Sequence, residues 1–276
     1  MYTKAGLDSL MDVAVRDGFT DLLLAARPDT QAATWFSMTT AAVQSRRIGG
    51  LAVGQYFINA AHEHGLRAHA WLYTGWWGTY NGVNYSRSTS WNTAYLSDAR
   101  CNSIEWMNWT QAGARKMVAD FVADLLRSNA GLDGVHLDYM RVHSDQSRCP
   151  LISLDDVTAG LAAVRAVVPR DVELTTSISG SASRNALVKR DVPQWLGEGL
   201  VDEALVMSYT SVPMSEKLAY IAGLPEQWRI VPGVPSNATK AVLCAQVAQW
   251  RGAGFWDFGV FDSVTWTQGM AECFDN

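Results

Sequence analysis

The sequence predicts an α/β fold: a TIM (β/α)8-type barrel, incomplete or irregular at its first strand. Two observations lead there. Short apolar runs of strand length alternate with amphipathic helical segments along the whole chain. Such repetition argues for a parallel sheet with helices outside it and right-handed connections. The length, 276 residues, suits one barrel, which commonly fills about that many.

Residues 3–16 read as a helix with Leu7, Leu10, Met11 and Val15 on one face, and Gly18 ends it. "FTDLLLAA" (19–26) reads as a buried strand, followed by a loop from Arg27 to about Gly50. A helix is expected over 51–64, stopped by Gly65, and a strand in "LRAHAWLY" (66–73). A long helix over 110–128 leads to the strand in "LDGVHLD" (132–138). Next come a helix over 154–168, a strand in "VELTTSI" (172–178), a short helix and turn in "QWLGEGL" (194–200), and a strand in "DEALVMSY" (202–209). A helix from Ser215 to about Ala222, a strand in "WRIVPGV" (228–234), a helix over 237–250 and a strand in "AGFWDFG" (253–259) complete the series. That makes seven strands; an eighth would have to precede residue 3, where there is almost no chain. No linker or tandem repeat divides the sequence, so 1–276 is expected to be a single domain.

Hydrophobic residues make up 48% of the chain, the level of an ordinary globular domain. The net charge of -5 gives the chain as a whole no strong pull on nucleic acid or anionic lipid, a local basic patch aside. No run approaches the roughly 18 to 20 apolar residues of a membrane span, and no signal segment opens the chain. Extracellular or cell-surface action fits, with any leader already removed, and the oligomeric state is not legible. Cys101, Cys149, Cys244 and Cys273 lack zinc-site spacing. Cys101 and Cys149 both lie in polar loops and form a reasonable disulfide pair; otherwise the thiols stay free.

The stretch 75–109 has little periodicity and holds Trp76, Trp77, Trp91, Trp106 and Trp109 among its residues. A loop of this length is uncommon without a function, and in a parallel barrel it leaves the C-terminal end of its strand, the usual active-site face. The chain has twelve Trp and nine Tyr, and many of the Trp sit in polar surroundings; these rings either pack core and loops or form flat walls that suit sugar rings.

"DGVHLDYMRVH" (133–143) ends its strand in a knot of ionisable groups. The side-chain period of two sends His136 and Asp138 to one face, inside the barrel, and Val135 and Leu137 to the helical layer. A carboxylate there needs support, which Arg141, His136 or Tyr139 could give. A structural ion pair or helix cap, with Asp138 holding a loop, is the alternative explanation. His69, Trp71 and Tyr73 share one face of their strand, as do Met207 and Tyr209. Arg27 follows the first strand, and Trp256 and Asp257 fall on opposite faces of the last. Hydrolysis of a sugar acetal usually takes two carboxyl groups. Asp138 is the first candidate. Asp257, judged late in its strand, and Glu105 come next, with Asp98 and Glu173 behind them; Glu173 opens its strand, nearer the wrong end.

There is no GxSxG, HExxH, GxGxxG or Walker loop. His62 and His64, two apart on a helix, do not share a face, and no metal or cofactor is expected. "NAT" (237–239) is an N-glycosylation acceptor sequence in a suitable host.

Several segments carry a family pattern. "DGVHLDYMRVH" resembles "DGIHxDxxxYP", and Ala61, His62, Gly65, Leu66, His69, Ala70, Trp71 and Leu72 resemble "AHxxGLxxHAWL". "DVPQWLGEGLVDEALVMSYT" (191–210) is similar to "DxxxWLxxGxxDxxxPxxY". The chain thus resembles the glycoside-hydrolase-like TIM-barrel family of bacterial glycosyl hydrolases. The resemblance implies a barrel acting on polysaccharide, Asp138 as its catalytic carboxylate, and His69, His136 and Tyr209 lining the sugar pocket. The same strand also looks like the chitinase-type "DGxDxDxE" pattern, with departures. His136 replaces an Asp, and Met140 stands at the acid Glu, where a thioether donates no proton. Val142 and His143 replace the "YP" of the first pattern.

The expected function is a glycoside hydrolase cleaving a bacterial or extracellular polysaccharide by carboxylate acid/base chemistry. Its site would be Asp138, Asp257 and Glu105, with Arg27, His69, Trp71, Tyr73, Trp76, Trp77, His136, Arg141, Tyr209 and Trp256 binding substrate. The alternatives are a non-catalytic glycan-binding barrel and a metal-using or lyase-type activity.

Overall fold

The structure, a computed structural model, describes residues 3–26, 47–48, 50–75, 79–80, 83–84, 106–144, 151–208, 212–261, 266–267 and 269–275. Helix α1 (Lys4–Arg16) starts at Thr3, whose side chain accepts from the Gly6 amide at 3.1 Å. Strand β1 (Asp21–Ala25) follows, then α2 (Val53–Glu63), β2 (Arg67–Tyr73), α3 (Ala112–Ser128) and β3 (Gly134–Asp138). Helix α4 (Leu154–Arg165) opens on a capping box in which Ser153 and Asp156 satisfy each other's backbone amides. Then come β4 (Glu173–Ser179), α5 (Ala182–Leu187), α6 (Val192–Gly197), β5 (Glu203–Met207), α7 (Met214–Ala222), β6 (Ile230–Pro235), α8 (Lys240–Gly252) and β7 (Gly259–Phe261).

The seven strands form one parallel sheet in chain order, β1 to β7. Among the described residues β7 and β1 do not pair, so the sheet curls into an incomplete barrel. The irregularity expected at the first strand is thus real. The C-terminal segment crosses this seam instead of a strand. Trp266 donates to Asp17 at 2.7 Å and packs edge-on against Phe19, 5.3 Å between centroids. A disulfide, Cys244–Cys273, ties α8 to the last turn. Cys101 and Cys149, the pair expected from sequence, lie outside the described residues.

The apolar core sits between sheet and helices. Val135 and Leu137 point outward, fully buried, into a layer that includes Phe57, Val122, Leu161, Trp195 and Trp250. The opposite face of the strands is polar: His69, His136, Thr175, Ser177 and Ser179 are all buried inside the barrel.

Three expectations are corrected. The last strand covers Gly259–Phe261, not 253–259. Residues before it form the helix-to-strand connection: the Phe255 amide bonds the Trp250 carbonyl, and its ring packs edge-on against Trp250. The aromatic composition there reports packing on α8, not sheet pairing. Residues 51–52 pair with 47–48 in a small antiparallel ribbon, so α2 begins two residues later than its apolar pattern suggests. The loop 75–109 contains a second ribbon, Thr79–Tyr80 against Val83–Asn84.

Candidate functional site at the barrel mouth

Strand β3 delivers Asp138 to the C-terminal end of the sheet, opposite Tyr73 on β2. The residue is partly exposed, but its carboxyl is strongly desolvated by the surrounding protein. Its Oδ1 accepts from the Tyr139 amide at 2.7 Å, and the Trp71 side chain also donates to it. Burial pushes its pKa up, against the opposing pull of the Tyr139 amide, the Arg190 and Arg141 guanidiniums and Trp71. This is the environment of a carboxyl that keeps its proton to higher pH than usual.

The chain turns sharply after it. Tyr139 has φ 55, a left-handed conformation rare for a residue with a side chain. Thr74 holds the turn, donating both its amide and its hydroxyl to the Asp138 carbonyl at 2.9 Å. Gly75 makes the close approach feasible: a Cβ there would lie 2.2 Å from the Tyr139 carbonyl oxygen and 2.5 Å from that of Arg141.

The turn completes an aromatic wall. Phe261 packs on Trp71 at 5.6 Å, Trp71 on Tyr73 at 5.0 Å, Tyr73 on Tyr139 at 5.2 Å and Tyr139 on Trp106 at 5.9 Å between centroids. The Arg141 guanidinium lies over Tyr139 at 4.5 Å and over Trp106 at 4.7 Å. Met140 faces the other way. It is fully buried, and a Cβ on Gly160 of α4 would sit 3.2 Å from its methyl carbon. Position 140 therefore belongs to the helical layer.

Below the mouth the barrel closes. His136 is 3% exposed, and its two ring nitrogens already bond the Thr175 hydroxyl at 2.7 Å and the Ser177 hydroxyl at 2.8 Å. Burial, with repulsion from His69, pushes its pKa down to about 3, so it stays neutral. His69 is also sealed. It bonds Asp21 at 2.7 Å, and a Cβ on Gly134 would come within 2.1 Å of its Nδ1. Neither ring opens toward a pocket, contrary to the expectation that both line it.

At the opposite end, where the strands begin, lies an ionic floor. Ligand atoms of Asp21, His69 and Glu173 lie within 4.8 Å of one another, a spacing that could hold a metal ion. Arg67 already supplies positive charge there, bridging Asp21 at 3.3 Å and Glu173. Glu203 hydrogen-bonds Glu173; burial and the charges of Glu173, Asp21 and Asp257 push its pKa up to about 7.

Of the residues singled out from sequence, Asp138, Trp71, Tyr73 and Arg141 are brought together. Asp257 and Trp256 are exposed and precede β7, and Asp257 acts on Glu203 at the floor. The expectation that Asp257 stands late in its strand is thus corrected: the strand starts after it. Arg27, Trp76, Trp77, Glu105 and Tyr209 lie outside the described residues, as does Asp98. Sequence reasoning passed over Phe261 and Arg190, which no local pattern marks, and the floor carboxylates Asp21 and Glu203.

No protein-family model matches the chain, and no curated protein does. Solved structures of similar fold are glycoside-hydrolase-type barrels. The PgaB (BpsB) glycoside hydrolase domain from Bordetella bronchiseptica aligns with TM-score 0.65 at 13% identity, covering 95% of this chain and 89% of that one. The chitinase RmChi1 from Rhizomucor miehei gives 0.60 at 11%, covering 95% and 94%. A chitinase from Chromobacterium violaceum gives 0.61 at 9%, covering 97% and 93%. At these identities the likeness concerns the fold.

Proposed function

We propose that the protein is a glycoside hydrolase acting on a polysaccharide, with Asp138 as the group that protonates the leaving oxygen. One observation carries this reading: a partly exposed Asp138, its carboxyl desolvated and its pKa raised, stands at the C-terminal end of a parallel barrel strand, against a continuous aromatic wall. That end of the barrel is where such folds keep their chemistry. A proton donor for an acetal oxygen needs a raised pKa, and burial supplies it here. Trp71 and Tyr73 offer ring faces to the C–H faces of sugars, while Trp71 also orients the carboxyl. The similarity in fold to two chitinases and to a glycoside hydrolase domain supports the same substrate class. The disulfide Cys244–Cys273 supports action outside the cytosol, where such bonds persist. Among the described residues no helix is long and apolar enough to cross a membrane.

The remaining candidates from sequence for the second carboxyl, Glu105 and Asp98, lie outside the described residues. A second reading, a barrel that binds glycan without cutting it, has one observation in its favour. Asp257, the second carboxyl expected from sequence, precedes β7 and acts on the floor carboxylate Glu203. Asp138→Asn separates the two. Reducing ends released from a panel of polysaccharides should fall by about a hundredfold or more in the variant, while retention on the bound polysaccharide persists. Equal release by both proteins would remove Asp138 from the chemistry. Retention without release by the wild type would establish the binder.

A further inference from the structure

We propose that Arg141 makes the mouth selective for an acidic polysaccharide, gripping the carboxylate of a uronic-acid sugar seated on the Trp71–Tyr73 rings. This rests on the glycan-processing reading above and names its substrate class.

The first ground is placement. Arg141 lies three residues beyond Asp138, on the turn fixed by Thr74 and Gly75, and is half-buried at the rim. Its guanidinium plane is pinned over two rings, Tyr139 and Trp106. Stacking on both removes the rotamer freedom that a long side chain ordinarily loses on binding. The second ground is unused donor capacity. A guanidinium carries five N–H donors. Those of Arg141 go to the Val142 carbonyl at 3.0 Å and to the Tyr139 side chain, and its remaining donors have no partner among the described residues. A planar fork with spare donors matches a carboxylate edge-on, in two parallel hydrogen bonds.

The third ground is charge. The groups acting on Asp138 are Arg141 and Arg190, two guanidiniums around one carboxyl. Arg190 is almost fully buried, so its charge is little screened. Two guanidiniums against one carboxyl leave net positive charge among these three groups, which an incoming carboxylate meets. A cationic amino sugar meets the reverse. The aromatic wall alone does not choose between neutral and charged sugars; the arginine beside it does.

Retention of the wild type and of Arg141→Gln on immobilised neutral, amino and uronic polysaccharides tests this, with salt varied. The wild type should be held by uronic members, less as salt rises, and Arg141→Gln should weaken that by about tenfold or more. Arg141→Lys should restore only part, since a point charge lacks the fork. Thermal unfolding checks that the variants remain folded; the wild type's selectivity decides the question even if they do not. Retention on neutral or amino members alone overturns the inference and leaves the glycan reading standing. Unchanged uronic retention in a folded Arg141→Gln also overturns it. Retention on nothing in the panel overturns both.

Discussion

Glu203→Gln should stabilise the protein above neutrality and remove much of the pH dependence that the barrel floor imposes. Glu203 opens β5, half-buried, and hydrogen-bonds Glu173 within reach of the Asp21 and Asp257 charges. Burial first, and these neighbours second, raise its pKa from 4.5 to about 7. The folded chain therefore holds a proton in that window that the unfolded chain has lost. By linkage, stability is greatest below the unfolded value, falls as pH rises from 4.5 to about 7, and levels off above. Each pKa unit corresponds to about 1.4 kcal/mol, so the shift sets a ceiling of roughly 3 kcal/mol. Partial exposure and the Arg67 charge beside Glu173 reduce this to roughly 1–2 kcal/mol. Glutamine keeps the shape, donates its amide toward Glu173 and does not titrate. Urea unfolding followed by circular dichroism at about pH 5 and about pH 8 measures the difference. Between the two, the wild type should lose roughly 1–2 kcal/mol more than the variant. If wild type and variant lose stability equally, the shared proton does not exist.

Gly75→Ala would drive a methyl group into two carbonyl oxygens of the turn that carries Tyr139 and Arg141. The turn must shift, at about 1–3 kcal/mol or more, and the near-ultraviolet aromatic signal of the Tyr73–Tyr139–Trp106 run should weaken with it. An unchanged denaturation midpoint would mean that the close approach is not maintained in solution. Replacing both Cys244 and Cys273 by serine opens a loop of sequence separation 29. The chain-entropy estimate for that loop is about 3–4 kcal/mol of stability, read as a drop in thermal midpoint that reduction of the wild type should reproduce.

Which side of a strand a residue occupies was legible from sequence; how high it stands in the barrel was not. The period of two correctly sent His136 and Asp138 inward and Val135 and Leu137 outward, because side-chain alternation is a property of each strand alone. Height depends on how neighbouring strands are staggered, and that belongs to the whole sheet. Asp21 pairs in register with Arg67, yet the histidine it bonds is His69, two residues further on. Glu203 pairs with Thr175, yet its carboxyl meets Glu173, two residues back. The floor cluster thus climbs through the register as it crosses the sheet. No single segment contains its signal, and Asp257 could be set at the wrong end by a strand misplaced by a few residues. The same stagger divides two inward neighbours on β3. Thr175 and Ser177 stand at the height that closes over His136, whereas Asp138 is partly exposed and meets Trp71 and the Tyr139 amide. An HxD pair on one strand is therefore not one site. Its histidine ties the barrel interior together, and its aspartate is left for the mouth.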